Sequence, residues 1–360
     1  MIDFRYHLVS IVAVFLALAI GIVLGSTELQ GPAYNLLNQT TAKLQNELDQ
    51  ASSQRDTAQQ QADLGENYAQ AIEPVVLHNL LAGQRLLIIT EPGAPASVVA
   101  AISDAATQDA GAAVTGQIAL QPKFFDNSDT TLDSLNQINL AMSSADGIVL
   151  NSGTTYQQQA AEVIAGEILS RAQRPPGIGT ATPQASAQPS ISPSAGSQQE
   201  TTAQTMLGAY ANEGFLTISG QPFASATLAV IVTPQTAPSD GSADPLDQLL
   251  VPVAEELAAN SSATVVASVS ADSGPGSPIA VLRASSAASK VSTVDDADFV
   301  AGQSVVIQAL ATQLNGGNPG SYGIASGASA VAPSPAPTPS ASASASASAT
   351  ASPASKKPKK

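Results

Sequence analysis

The sequence predicts an α/β protein anchored to a membrane: a transmembrane helix at the N-terminus, a coiled-coil stalk, then a mostly parallel sheet covered by helices. Three observations predict it. Residues 8–25 form an apolar run with no charge, a heptad-spaced seam occupies residues 34–73, and from residue 75 to 323 short apolar runs alternate with amphipathic stretches.

The apolar run reads LVSIVAVFLALAIGIVLG, preceded by Asp3 and Arg5 and followed by Glu28. At about 1.5 Å per residue, such a helix just crosses a hydrocarbon core. Arg5 lies before the run, and the nearest cation after it is Lys43, so the positive-inside rule places residues 1–7 in the cytoplasm and the bulk of the chain outside. A cleaved signal peptide is the rival reading, with Val23 and Gly25 as the small residues before the cut; the run exceeds the roughly 7 to 15 residues of a signal core. Ala17, Gly21 and Gly25 stand at small-xxx-small spacing, which permits close helix pairing.

Gly31 and Pro32 are expected to break the chain before the stalk. Steps of four and three residues then give Leu37, Thr41, Leu44, Leu48, Ala51, Arg55, Ala58, Ala62, Gly65, Ala69 and Ile72, a mostly apolar seam in a polar helix. A fully helical stalk of this length reaches about 60 Å. Its seam calls for a second helix, so a parallel homodimer or a higher homo-oligomer is expected. Pro74 is read as its end.

In the body, strands are expected at 85–90, 113–120, 147–150, 215–218, 226–232, 263–269 and 279–282. Helices are expected at 96–109, 132–142, 155–171, 202–213, 246–259 and 300–314, the last stopped by Asn315, Gly316 and Gly317. This alternation is that of a Rossmann-like layering, with helices on a parallel sheet. Residues 174–200, rich in Pro, Ser and Gln, read as a disordered insertion, and residues 326–360, made of Ala, Ser, Pro and Thr and ending in KKPKK, as a disordered tail.

Composition narrows the function. With 13 Lys+Arg against 28 Asp+Glu the net charge is -15, which repels nucleic acid. The absence of cysteine removes disulfides, thiolate ligands and thiol nucleophiles. Aromatic residues make up only 4% of the chain, so the core must be built of Ala, Val, Leu and Ile.

Two stretches carry a resemblance. FRYHLVSIVAVFLALAIGIVLGS at residues 4–26, and STVDD at 292–296 with ALATQLNGGNPGSYG at 309–323, resemble the actinobacterial copper transporter MctB family, in the same order along the chain. The resemblance implies an envelope protein of copper efflux and tolerance, described as pore-like and associated with the outer membrane. It also implies kinship with membrane-anchored coiled-coil proteins of the septum, and hence a second reading: a non-catalytic scaffold that regulates cell-wall hydrolysis through envelope or septal partners. Asp295, Asp296, Asn315, Gly316, Gly317 and Tyr322 are the motif positions, with no role attached.

The residues themselves offer little for copper to bind. Soft and imidazole ligands are confined to Met1, Met142, Met206, His7 and His78, and along a continuous helix the two histidines are about 100 Å apart. The acidic run Asp295, Asp296 and Asp298 offers oxygen ligands for a hard cation, without the sixfold donor set such ions take. Copper is thus expected from the resemblance alone, and no other cofactor is expected. Catalysis is not expected either. Asn151, Ser152 and Gly153 follow an expected strand without the Gly-x-Ser-x-Gly pattern, and the loops 91–95 and 233–240, where α/β sheets bind ligands, lack a phosphate-binding signature.

Overall fold

The computed structural model describes residues 4–146, 148–169, 193–234, 245–270 and 276–334. The chain divides into two compact units, Met1–Tyr68 and Ala69–Lys360.

The first unit belongs to a single helix, α1 (Phe4–Val76), whose closing turns lie in the second unit. Its residues Phe4–Gly25 have a mean hydropathy of 2.9, with none buried against protein. Gly31–Pro32 does not end the helix, contrary to expectation, whereas the helix does stop at Val76, two residues after Pro74. A proline forfeits its own N–H bond and crowds one turn, which a long ladder on both sides can absorb. Beyond the apolar span, Leu36, Leu37, Leu44, Leu48 and Leu64 are exposed along α1.

The second unit is a seven-stranded sheet in the order β3-β2-β1-β4-β5-β6-β7. Its strands are β1 (Arg85–Thr90), β2 (Ala113–Leu120), β3 (Leu216–Gly220), β4 (Leu228–Val232), β5 (Ala263–Ala267), β6 (Ser292–Val294) and β7 (Ser321–Tyr322). All neighbours pair in parallel except β2 and β3. The central strands are apolar on both faces because helices cover both. Leu87, Ile89, Ala229, Ile231 and Val266 point to one core. Their neighbours Leu86, Ile88, Leu228, Val230 and Val265 point to the other, as a period of two requires.

The first core is closed by α3 (Asp129–Asp146), α4 (Tyr156–Ile168), α5 (Pro193–Asn212), α6 (Pro245–Asn260) and α7 (Pro278–Ala284). The second is closed by α2 (Ala96–Asp104), its π-helical extension Ala105–Asp109, α8 (Val300–Leu314) and Leu77 and Leu81 just after α1. Gly111, at φ 72°, turns the chain from that extension towards β2.

The structure departs from expectation in five further places. Residues 148–150 form no strand, and Val149 is 88% exposed; the place beside β2 is taken by β3, which pairs over five residues and closes that edge antiparallel. Residues 279–282 lie in α7, because Ser277 accepts a hydrogen bond from the Ala280 N–H and Pro278 presets the first helical φ. Residues 193–200, expected to be disordered, belong to α5, while 170–192 lie outside the described residues. The short pairs β6 and β7 were not expected; each is set by its neighbours rather than by its own apolar length. Lastly, residues 326–334 are not free tail: the Ser329 N–H donates to the Ser321 carbonyl at 2.8 Å, and Ala330 bridges to Tyr322. Residues 335–360 lie outside the described set.

One buried polar link locks the helices of the first core. The Tyr210 hydroxyl donates to Asn139 Oδ1 at 2.7 Å, and Asn139 Nδ2 donates to the Tyr156 carbonyl at 2.8 Å, joining α5, α3 and α4. Burial holds the Tyr210 phenol in its neutral form and pushes its pKa well up. Tyr210→Phe strands the Asn139 acceptor and is expected to cost about 1–3 kcal/mol in denaturant unfolding, with an unchanged m value.

Candidate functional site

The chain winds away from β1 in both directions, to β2 on one side and from β4 to β7 on the other, so the switch point lies between β1 and β4. The described part of that crevice is tight. The Glu91 N–H donates to the Val232 carbonyl at 3.0 Å, Gly93 sits at φ 88°, and a Cβ there would meet the Pro234 Cβ at 3.3 Å. Residues 235–240 of the second expected loop lie outside the described residues. Asn151 forms a turn in which its Oδ1 accepts from the Gly153 N–H at 3.0 Å. That loop leads into α4, whose first turn is capped by the Thr155 hydroxyl. No strand precedes it, so it is not a nucleophile elbow.

The carboxyl end of β6 holds a denser arrangement, and it gathers several motif positions. Asp295 is fully buried and its Oδ2 lies 2.7 Å from Arg283 Nη2 in an ion pair whose guanidinium side chain is 7% exposed. Arg283, on α7, also donates from Nε to the Thr293 hydroxyl at 3.0 Å and from Nη2 to the Tyr322 carbonyl at 2.8 Å. The other Asp295 oxygen accepts from the N–H groups of Ile324 and Ala325 at 2.8 and 3.0 Å. One ion pair therefore ties α7, β6, β7 and the segment after β7.

Glycine makes room for it. A Cβ on Gly323, at φ 121°, would lie 2.2 Å from Asp295 Oδ1, so only glycine lets the backbone come so close. A Cβ on Gly320 would strike the Tyr322 ring, which is buried in the second core. At the end of α8, Asn315 Nδ2 donates to the Ala311 carbonyl at 2.8 Å, Gly316 turns at φ 83°, and the Gly317 N–H donates to the Thr312 carbonyl at 2.8 Å. These residues cap α8 and lead the chain into β7.

Asp296 differs from its neighbour. It is 5% exposed and its Oδ1 is buried without a hydrogen-bond partner. Burial, joined by the negative charges of Asp295 and Asp298, pushes its pKa up to about 6. Its backbone carbonyl presses on α8, where a Cβ on Gly302 would lie 2.0 Å away. Asp298 turns elsewhere and accepts from the Ser270 N–H at 2.7 Å and its hydroxyl at 2.6 Å. Asp295 and Asp298 thus serve separate partners while Asp296 keeps a buried oxygen unsatisfied, and the three do not converge as cation ligands. Among the described residues no group of three or more His, Cys, Asp or Glu side chains is placed to hold a metal ion.

The histidines are not part of any such group. His7 lies within the apolar span of the first unit, and His78 is exposed in the turn after α1, its Nε2 2.8 Å from Asn79 Nδ2. Sequence reasoning missed Arg283. It stands one residue past the segment read as a strand at 279–282, yet it is one of only 13 basic residues in the chain, and a lone cation beside an apolar run is a signal for a buried ion pair.

The model of the copper transport outer membrane protein MctB matches residues 1–333, from the apolar span through the Asp295 junction. The chain belongs to the MctB family. Among its relatives, proteins called copper transporter MctB in Mycobacterium tuberculosis and Mycobacterium bovis are each 29% identical over 334 residues, covering 92% of this chain and 99% of the relative. The Mycobacterium leprae copper transporter MctB is 28% identical over 337 residues, with the same coverage. The MctB match ends at residue 333, before the segment that finishes in KKPKK.

Two outcomes follow. Arg283→Leu leaves the Asp295 carboxylate buried and unpaired and is expected to destabilise the second unit by about 3–5 kcal/mol, whereas pairing it with Asp295→Leu recovers much of the loss, as a double-mutant cycle in denaturant will show. For Asp296, a folded pKa above the unfolded value of 3.8 means that its contribution is fully present below about pH 4 and is lost as pH rises through about 6. Asp296→Asn is accordingly expected to unfold at a higher temperature than the parent at pH 7.5 and at nearly the same temperature at pH 4, the difference being on the order of 1–2 kcal/mol.

Proposed function

We propose that this chain contributes to copper transport or homeostasis as a membrane-anchored protein of the bacterial envelope. The observation that carries this is the family match over residues 1–333, which takes in both the apolar helix and the α/β unit. In this reading copper is the cargo. The anchor is Phe4–Gly25, with the N-terminus in the cytoplasm and the α/β unit outside, following the placement of Arg5 before the span and Lys43 after it.

A single helix cannot enclose a path for an ion, and the described strands of the α/β unit are joined into one open sheet rather than a barrel. We therefore infer that the working form is a parallel homo-oligomer, or a complex with envelope partners. The exposed leucines at 36, 37, 44, 48 and 64 of α1 supply the apolar surface for pairing.

Loss of the chain is expected to raise cell-associated copper and lower copper tolerance in its own host. Because neither histidine belongs to a metal-binding group among the described residues, a His7→Ala, His78→Ala double variant is expected to restore tolerance fully. A deletion strain with normal copper but chained or misdivided cells would overturn the copper reading in favour of a septal scaffold. Failure of the double variant to complement, with the protein present at parental levels, would restore direct imidazole ligation.

A further inference from the structure

Beside α2, a cleft of about 430 Å³ runs between that helix and the strands β1, β2 and β3. Its volume lies within the roughly 300–1,000 Å³ of small-ligand pockets. A bulge shapes its floor. Leu86 pairs with Val114 and Leu87 with Gly116, so Thr115 is an extra residue in β2. Strict alternation would put Val114 and Gln117 on opposite faces of the sheet, whereas the bulge brings both to the side of α2, where both line the cleft. Bulges between parallel strands are rare. This one turns a carboxamide onto a face that the central strands line with Leu, Ile and Val.

The polar groups on that floor are short of partners. Thr90 lines the cleft and is only 5% exposed. Among the described residues its hydroxyl donates no hydrogen bond, and the one it accepts, from Gln117 Nε2, is 3.4 Å long, beyond the usual range of about 2.7–3.2 Å. Gln117 Oε1 accepts none among the described residues. A buried hydroxyl with its proton unspent costs free energy, which an acceptor entering the cleft recovers.

The lining also selects the occupant. Ser103 stands on the α2 wall, with Thr115, Gln117 and Ser219 on the strand wall. No charged side chain and no aromatic ring is among the lining residues, so an ion finds no counter-charge there and a sugar no ring to stack on. A trans secondary amide fits, because its C=O and N–H point to opposite sides and each wall offers it a hydroxyl or carboxamide. Ala96, Ala100 and Ser103 follow one flank of α2 over about 10 Å, the length of about three extended residues. Their small side chains leave room for those of the guest.

We propose that this cleft binds a short, extended, uncharged peptide of about three residues, whose backbone amides bridge Ser103 and Gln117 and one of whose carbonyls takes up the Thr90 proton. The site shares no residue with the Asp295 junction and does not rest on the copper reading.

The probe is N-acetyl-trialanine amide, titrated into the full-length protein in detergent and followed by saturation-transfer NMR on its methyl signals. Saturable binding is expected. Ala100→Phe fills the cleft from an exposed position on α2 and is expected to abolish the signal without lowering the melting temperature. Gln117→Leu removes the carboxamide and is expected to weaken binding about tenfold. The N-acetylglucosamine trimer, which carries the same amide on sugar rings, is expected not to compete. The proposal is overturned if the peptide fails to saturate at millimolar concentrations, if either variant binds it as the parent does, or if the sugar displaces it.

Discussion

Arg283 and Asp295 come from different layers, and the two shortest strands, at the sheet's far edge, meet at their ion pair. β6 has three residues and β7 two, too few to hold their places by ladder hydrogen bonds alone. The guanidinium donates to the Thr293 hydroxyl and the Tyr322 carbonyl and pairs in charge with the Asp295 carboxylate, whose other oxygen takes up two backbone N–H groups of the next segment. A buried charge tolerates no half-measures, because its solvation must be replaced in full by its neighbours. That requirement accounts for Gly323, which leaves the carboxylate the space a side chain would fill.

The same junction explains why the motif residues lie far apart in sequence. Asp295 closes β6, Asn315 and Gly316 end α8, and Tyr322 completes β7, so the helix between them returns the chain to the edge it has just left. Asp296 is what this arrangement leaves over. It is buried beside two other acids with one oxygen unsatisfied, and its raised pKa records that cost. None of this forms a metal site. Among the described residues no His, Cys, Asp or Glu side chains gather into a metal-holding group, and soft ligands are few in the sequence.

Much of the architecture was legible in the sequence because it rests on local signals. The apolar run at residues 8–25 needs only its length and lack of charge, and β1, β2 and α8 kept their expected bounds because each has a full run of apolar residues and a punctuating turn. The misreadings fell where local pattern is ambiguous. GIVL and IAVL look alike as four-residue apolar strings, yet residues 148–150 of the first form no strand and the second is helix, since one meets an occupied sheet edge and the other follows a serine cap and a proline. Gly31–Pro32 misled for the opposite reason: a strong local breaker yielded to the hydrogen-bond ladder on either side.

What the sequence determined by itself is the order of parts, since hydrophobic period, helix caps and charge-free length are properties of neighbouring residues. It also set the chemical poverty of the chain in copper ligands, which is a matter of composition. Only the tertiary structure decided that Arg283 partners Asp295 and that β3 runs antiparallel at the edge. Those facts depend on which segments are brought together by burying both faces of the sheet, and no spacing along the chain encodes that meeting.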